Sequence, residues 1–248
     1  MTTPSQLTIN SVDVATSSSD LAWDAASAAA PAGTAFLVGE QTRGRGRRGA
    51  SWLSGRGGMY LSILLRPDLT ADRFFGLSFV AALAIREEVS RYLAGVPVTL
   101  KWPNDILAGG GKLCGILVEA RGRDVVIGTG VNLLPVEAEL AGARLPPVSL
   151  SGLGGGPLSP LDLAESYGRN LLARLGEYET AGFGATRLEW LRHCAHINGN
   201  VRVVAGDSPV SGRFIDLDDD GAMVLDDGAG GHMRVTTGDV ELLGQASL

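Results

Sequence analysis

The chain has 248 residues, of which 45% are hydrophobic and 19% charged, and its formal net charge is −6. This balance supports a buried core and excludes a chain that is disordered by composition. The acidic net charge argues against a general nucleic-acid binder with a basic surface. The longest apolar stretch, residues 74–85, is interrupted by Gly76 and Ser78 and is shorter than the roughly 20 residues that cross a bilayer.

The N-terminal segment and the cysteines predict a cytoplasmic protein. The first basic residue is Arg43, so we expect no positively charged start of a signal peptide. Cys114 and Cys194 are too few for a disulfide framework. We therefore expect a reduced, cytoplasmic protein.

Apolar periodicity and turn residues predict an α/β domain over residues 1–197, followed by a β-rich module over 198–248. In chain order, we predict a strand over 7–14, a helix that begins at Ser17–Asp20 and reaches Ala30, strands over 35–38 and 59–65, a helix over 71–93, strands over 96–102, 113–120 and 125–131, a loop over 134–160, and helices over 161–178 and 186–196. Five short alternating runs then predict a small β-barrel, at 201–204, 212–217, 222–225, 232–235 and 239–243.

The strongest local signal is the glycine-rich segment 44–49, which places Arg45, Arg47 and Arg48 close to Arg43. Without these four arginines the rest of the chain carries −10 (−6 − 4). Glycines let backbone amides turn toward an anion, and guanidinium groups suit carboxylate and phosphate. The segment also fits G-x-G-x-x-G, but more loop follows it where a dinucleotide fold requires a helix. An unliganded surface turn is the alternative.

A second signal is Lys101-Trp102-Pro103-Asn104-Asp105, at the end of a predicted buried strand. A lysine there is costly unless it meets an anion, and it could bridge a carboxylate and a phosphate. The alternative is a strand-end lysine that reaches solvent.

Two further segments are less specific. Lys112 is not part of a phosphate-binding P-loop, because Leu113 stands where that motif requires Ser or Thr. A turn lysine is the simpler interpretation. The small residues of segment 128–132 allow a ring to approach closely, and Asn132 could bind its polar edge. A plain turn at the end of a strand is equally compatible with that spacing.

These segments occur in the order found in biotin protein ligases, which the chain resembles. The resemblance rests on Ser18-Ser19-Asp20, Gln41-x-x-Gly-Arg-Gly-Arg-Arg-Gly49, Ser51-Trp52, Lys101-Trp-Pro-Asn-Asp105, Lys112-Leu-Cys-Gly-Ile-Leu-Val-Glu119 and Gly128-x-Gly-x-Asn132. It implies a mixed sheet flanked by helices, of the class II aminoacyl-tRNA-synthetase type, with an SH3-like β-barrel. It is closest to the short form of the family, which has no N-terminal DNA-binding domain.

The resemblance also implies a reaction and its participants. The family makes biotinyl-5′-AMP from biotin and ATP, releases pyrophosphate, and transfers biotin to a lysine of a biotin carboxyl-carrier domain, such as that of acetyl-CoA carboxylase. We expect Mg²⁺ to accompany ATP, with Asn104 and Asp105 as candidate ligands. We expect no DNA or membrane partner, and either a monomer or a homodimer.

The resemblance assigns roles residue by residue. The implied catalytic residues are Lys101, Arg47 and Arg48, with Lys101 in contact with both the biotin carboxylate and the α-phosphate. The implied biotin-binding residues are Ser18, Ser19, Asp20, Gln41, Arg45, Gly46, Arg47, Lys101 and Gly115. The implied nucleotide-binding residues are Arg47, Arg48, Trp52, Asn104 and Asn132, with Trp52 stacked on adenine.

Asp20 departs from the family, which usually has asparagine at this position. An ionised carboxylate accepts hydrogen bonds but cannot donate them. Our hypothesis is that Asp20 acts mainly as a helix cap and contributes less to biotin binding.

Two other functions are compatible with parts of the sequence. A lipoate–protein ligase has similar chemistry, but a lipoyl tail offers no ureido group for Ser18, Ser19 and Gln41. A non-catalytic nucleic-acid-binding module is disfavoured by the net charge and by the few aromatic residues of the β-module. The spacing of Asp216, Asp218 and Asp220 imitates a calcium loop, but strands flank it, so we predict a hairpin turn.

Overall fold

The computed structural model describes residues 4–135, 145–204 and 209–243. The first domain contains strands β1 Thr8–Ala15, β2 Thr34–Gln41, β3 Gly58–Leu65, β4 Val98–Lys101, β5 Asp105–Ala108, β6 Gly111–Arg121 and β7 Asp124–Asn132. Its α-helices are α1 Ser18–Ser27, α2 Leu77–Ser90, α3 Pro160–Ala181 and α4 Phe183–Arg192. Within the described ranges, no helix is both long and apolar enough to cross a membrane.

The seven strands form one sheet in the order β1-β2-β3-β7-β6-β5-β4. Strands β1 and β2 are parallel, and every other neighbouring pair is antiparallel. The prediction of a mixed sheet flanked by helices is therefore confirmed. In the β6–β7 pair, Gly115 lies opposite Gly130, which leaves a strip without side chains near the centre of the sheet.

Helices cover both faces of this sheet. Helix α2 is apolar around most of its surface and packs with α3 against one face, where Leu61 and Ile63 belong to the main core. Helix α1 packs on the other face, where its Trp23 meets Leu64 and Val126 in a smaller core. Because α1 is short, the sheet beside its N-terminus stays open, and the cavity described below lies there.

The structure differs from the prediction at two elements. The helix predicted over 71–93 begins with a 3₁₀ segment, Ala71–Gly76, before α2. Strand β5 was not predicted, because its four residues lie between Pro103 and three consecutive glycines. It pairs with both β4 and β6, and only those pairings make it a strand.

The C-terminal module is a separate antiparallel sheet. Its strands are β8 Asn200–Val204, β9 Val210–Leu217, β10 Met223–Asp226, β11 His232–Val235 and β12 Asp239–Leu242, in the order β11-β10-β9-β8-β12. The predicted boundary at 197/198 lies in the connection between α4 and β8. Trp102 joins the two sheets, since its Nε1 donates to the Gly221 carbonyl at 3.0 Å.

The aspartates that imitate a calcium loop are used within the fold. Asp216 is ion-paired with Arg187, and Asp218 with Arg234. Asp218 also accepts the backbone N–H groups of Asp220 and Ala222, each at 2.9 Å. These bonds form the turn between β9 and β10, as predicted.

Candidate active site

A cavity of about 480 Å³ opens above the glycine strip of the sheet. It is bounded by the start of α1, by strands β6 and β7, and by residues 42–52, here called the Arg/Gly loop. The predicted site residues that line it are Ser18, Ser19, Gln41, Arg45, Gly46, Arg47, Arg48, Trp52, Asn104 and Gly115. Other lining residues, which the sequence analysis did not assign to a ligand, include Tyr60, Ser62, Lys112 and Asp239.

One side of the cavity is a neutral wall formed by Ser18, Ser19, Gln41 and Ser62, here called the polar wall. Gln41 Oε1 accepts from the backbone N–H of Ser18 at 2.7 Å and from its hydroxyl at 3.0 Å. The Ser62 hydroxyl lies 2.7 Å from that of Ser18 and 3.1 Å from that of Ser19. The wall is therefore ordered by its own hydrogen bonds before any ligand arrives.

The polar wall depends on the start of α1. Ser17 is the N-cap, and its hydroxyl accepts the N–H of Ser19 at 3.2 Å. The helix prediction at this position is confirmed. Ser17 carries the cap, whereas Asp20 lies in the first turn, so the hypothesis that Asp20 acts mainly as the cap is wrong.

The floor of the cavity carries the indole of Trp52. A Cβ atom added to Gly130 would lie 2.5 Å from Trp52 Nε1, and one added to Gly115 would lie 2.9 Å from its Cζ3. The close approach of a ring expected at segment 128–132 therefore occurs with Trp52 of the same chain. The buried Nε1 has no hydrogen-bond partner among the described residues.

Two lysines share one carboxylate beside this floor. Lys112 Nζ lies 2.7 Å from Asp105 Oδ1, and Lys101 Nζ lies 3.5 Å from Asp105 Oδ2. Lys112 lines the cavity and its ammonium is 5.1 Å from the centre of the Trp52 ring. Lys101 is only 8% exposed and does not line the cavity. It also acts on His196, whose pKa is lowered to about 4 by burial and secondly by the Lys101 charge.

Besides Arg45, the Arg/Gly loop presents Arg47 and Arg48 to the cavity. Burial, and secondly the neighbouring Arg48, lower the pKa of Arg47, whose Nη1 donates to Asn104 Oδ1 at 3.3 Å. Arg48 has a left-handed backbone, with φ of 55°, and its Nη2 donates to Thr237 Oγ1 at 2.7 Å. The loop therefore reaches the C-terminal sheet, which also contributes Asp239 to the lining.

Three predicted site residues lie outside the lining. Lys101 is one, as described above. Asp20 is ion-paired with Arg45 instead of facing the cavity. Asn132 is 4% exposed, and its Nδ2 donates to the carbonyl of Val148 at 3.1 Å. Their ligand contacts remain predictions.

The candidate Mg²⁺ ligands are already engaged. Both Asp105 oxygens face lysines, and Asn104 donates to the Ile116 carbonyl at 2.6 Å. The described part of the chain contains no group of three or more His, Cys, Asp or Glu side chains arranged to hold a metal ion. These residues therefore do not fit a cation site built by the chain alone.

The chain is similar to known proteins in sequence and in structure. The model of the biotin/lipoate A/B protein ligase family matches residues 12–132, and that of the biotin protein ligase C-terminal domain matches residues 196–243. A biotin–[acetyl-CoA-carboxylase] ligase of Paracoccus denitrificans is 35% identical over 204 residues, which are 78% of this chain and 84% of that protein.

Two other comparisons cover more of the chain. The biotin–[acetyl-CoA-carboxylase] ligase of Mycobacterium tuberculosis is 35% identical over 226 residues, covering 89% of this chain and 83% of that protein. The structure of Aquifex aeolicus biotin protein ligase in complex with biotin and ATP superposes with a TM-score of 0.81 at 23% identity, covering 95% of this chain and 98% of the other. That likeness shows a shared fold. Because it is 35% identical to two ligases over most of their length, the chain belongs to the biotin protein ligase family.

Proposed function

We propose that this chain activates biotin with ATP and then biotinylates a lysine of a biotin carboxyl-carrier domain. A biotin carboxylate oxygen attacks the α-phosphorus, the bond to pyrophosphate breaks, and biotinyl-5′-AMP forms. The carrier amine then attacks the acyl carbon and AMP leaves. The observation that carries this proposal is a single cavity with a neutral hydrogen-bonding wall on one side and Arg47, Arg48 and Lys112 on the other.

The polar wall suits the ureido ring of biotin. A ureido group has one carbonyl acceptor and two N–H donors, and serine hydroxyls can serve as either partner. Ser18, Ser19 and Ser62 are mutually bonded, so their positions are set before binding. We assign the ureido ring of biotin to this wall, which includes Gln41.

The cationic side suits the reacting groups. Bringing a carboxylate to a triphosphate joins anions that repel each other, so fixed cations stabilise the transition state most. Of the two lysines, only Lys112 lines the cavity. We therefore assign contact with the biotin carboxylate and the α-phosphate to Lys112. We assign to Lys101 the role of holding Asp105 in position. Arg47 and Arg48 complete the cationic side.

We assign the nucleotide to the side of Trp52. An indole face stacks on a purine, and Trp52 lies on the floor of the cavity. Asn104 lies on the same wall, whereas an approach to Asn132 would require movement of the segment it holds. Mg²⁺, which neutralises phosphate charge when bound, would enter with ATP on the phosphate oxygens.

The two cysteines of the chain are compatible with a reducing compartment. Cys114 and Cys194 are free thiols, and burial raises the pKa of both. We propose that the protein acts in the reducing cytoplasm, where carboxylase carrier domains would be its partners.

The test is ATP–pyrophosphate exchange with the purified protein, in the presence of biotin, of lipoate or of neither acid. We expect exchange that requires biotin, followed by biotinylation of an isolated carrier domain. Exchange with lipoate alone would replace the proposal with a lipoate ligase. Absence of exchange with either acid would overturn it.

A further inference from the structure

Arg45 stands at the base of the Arg/Gly loop, and its guanidinium meets two carboxylates from outside the loop. Nη1 pairs with Asp20 on α1, and Nη2 lies 3.4 Å from Glu119 Oε2 on β6. Although Arg45 borders the cavity, both ends of its guanidinium are engaged away from the polar wall. We propose that Asp20 and Glu119 form an anchor for the Arg/Gly loop, and that Asp20 contributes to the reaction as a positioning residue through Arg45.

The anchor rests on parts of the fold that are rigid. Glu119 Oε2 also accepts Trp23 Nε1 at 3.3 Å, and Trp23 is buried in the smaller core. The Arg121 guanidinium lies 4.1 Å from the centre of the Trp23 ring. The second oxygen of Asp20 accepts the Thr16 hydroxyl at 3.0 Å. Each carboxylate is thus held by a second partner while it binds Arg45.

The position of Arg45 determines where the tip of the loop lies. Arg45 pairs with Ser51 in an isolated β-bridge, and the N–H of Gly46 donates to the Ala50 carbonyl at 2.7 Å. Arg47 and Arg48 follow Gly46, and the repulsion between their like charges opposes a compact loop tip. Fixing Arg45 to α1 and β6 therefore keeps the arginine tip over the cavity.

Both oxygens of Asp20 have a partner within the chain. One binds Arg45 and the other binds Thr16, and the residue lies outside the cavity lining. An asparagine would offer one acceptor oxygen and no charge, so it would keep the size of the side chain and lose the charge-assisted bond to Arg45. Asp20→Asn therefore tests the charge of the anchor without changing the size of the side chain.

The anchor matters for the reaction if the proposed function holds. A loop that closes over an acyl-adenylate keeps it from water and from stray amines until the acceptor arrives. An anchor that opens more often would release biotinyl-5′-AMP. Outside the cavity, an amine of any protein can attack its acyl carbon and displace AMP.

The first experiment measures the loop without reference to any reaction. Trypsin cleavage within the loop is followed by mass spectrometry in wild type, Asp20→Asn, Glu119→Gln and the double variant, with melting temperature recorded for each. We expect about two- to fivefold faster cleavage in each single variant and about tenfold in the double variant. Asp24→Asn, which removes the same charge from an exposed position of α1, and the conservative Asp20→Glu should cleave like wild type.

Unchanged loop cleavage in folded Asp20→Asn and Glu119→Gln would overturn the anchor. Acceleration in Asp24→Asn equal to that in Asp20→Asn would also overturn it, because the effect would then follow helix charge alone.

The second experiment measures escape of the intermediate. Biotinylation of serum albumin, used as a bystander, is compared with the rate of biotin-dependent ATP–pyrophosphate exchange. We expect Glu119→Gln to keep exchange within about twofold and to raise bystander labelling per exchange event about two- to fivefold, and we expect the same rise in this ratio for Asp20→Asn. Asp20→Glu should restore the wild-type ratio.

Two results separate the possible failures. A tenfold or larger loss of equilibrium biotin affinity in Asp20→Asn, with normal loop cleavage, would show a direct biotin contact and overturn the positioning role. Faster loop cleavage in a protein whose wild type shows no exchange would support the anchor and overturn the proposed function alone.

Discussion

The two sides of the cavity are held in different ways. The polar wall is largely buried, with Ser18 and Ser19 each 5% exposed, Ser62 fully covered and Gln41 half-buried, and its members bond to one another. The arginines of the loop are partly exposed and bond to residues far away in sequence, such as Asp20 and Thr237.

This difference matches the tasks that we propose for each side. A wall that recognises a small rigid ring gains from being fixed in advance, because ordering it costs nothing at the moment of binding. A loop that must admit two substrates and then cover them needs bonds weak enough to break, and exposed ion pairs contribute only about 0 to 1 kcal/mol each. Substitutions on each side of the cavity test this division.

The lysine pair offers the largest contrast. Lys112→Gln should lower biotin-dependent exchange by about 10²- to 10³-fold, because a cation next to the developing charge is lost. Lys101→Gln should lower the free energy of unfolding by about 1 to 3 kcal/mol, since a buried polar network loses a member. Exchange assays and thermal denaturation measure the two effects. Loss of exchange in a stable Lys101→Gln, with an active Lys112→Gln, would return the central role to Lys101.

The glycine strip tests the position of Trp52. Gly130→Ala would place a Cβ atom 2.5 Å from Trp52 Nε1, so the indole must shift. We expect the KM for ATP to rise about tenfold while the Kd for biotin changes by less than about threefold, as expected for loss of a stacking partner worth about 1 to 1.5 kcal/mol. The control is Gly176→Ala on α3, where an added Cβ meets open space. A selective loss of biotin affinity would contradict the assignment.

The polar wall is tested by its most buried hydroxyl. Ser62→Ala removes the partner of both the Ser18 and Ser19 hydroxyls. We expect biotin affinity to fall about five- to tenfold, the equivalent of one net hydrogen bond, with the KM for ATP unchanged. Calorimetric titration measures the affinity, and Ser27→Ala at the exposed end of α1 is the control. An equal effect on ATP would mean that the two sides are coupled.

A last prediction concerns the stability of the fold at different pH values and the buried surroundings of Lys101. The pKa of His196 is lowered from 6.5 to about 4, chiefly by burial, so the unfolded chain takes up a proton between these values and the folded chain does not. Stability should therefore fall as pH decreases from about 6.5 to about 4, by about 2 to 3 kcal/mol. His196→Gln should remove that part of the slope in denaturation curves recorded across this range. A slope identical to wild type would refute the assignment.

Much of the fold could be predicted because its signals are local. The capping serines mark the start of α1, and Gly122 between two apolar runs marks the β6–β7 turn, where its φ is +62°. Strand β5 lacked such a signal, since four residues beside a run of glycines look like a loop until neighbouring strands pair with them. Residues 136–144 of the predicted loop lie outside the described residues.

The candidate site, like the fold, has features that could be predicted from the sequence and features that could not. The kinds of group present follow from residue types alone: neutral hydroxyls after β1, a cluster of guanidinium groups after β2, and two lysines that flank β5. Only the tertiary structure decided which of those groups face the cavity. Lys112 faces it and Lys101 does not, and Asp20 points to Arg45 instead of a ligand. The physical reason is that residue type sets the available chemistry, whereas pairing and packing between distant segments set its direction.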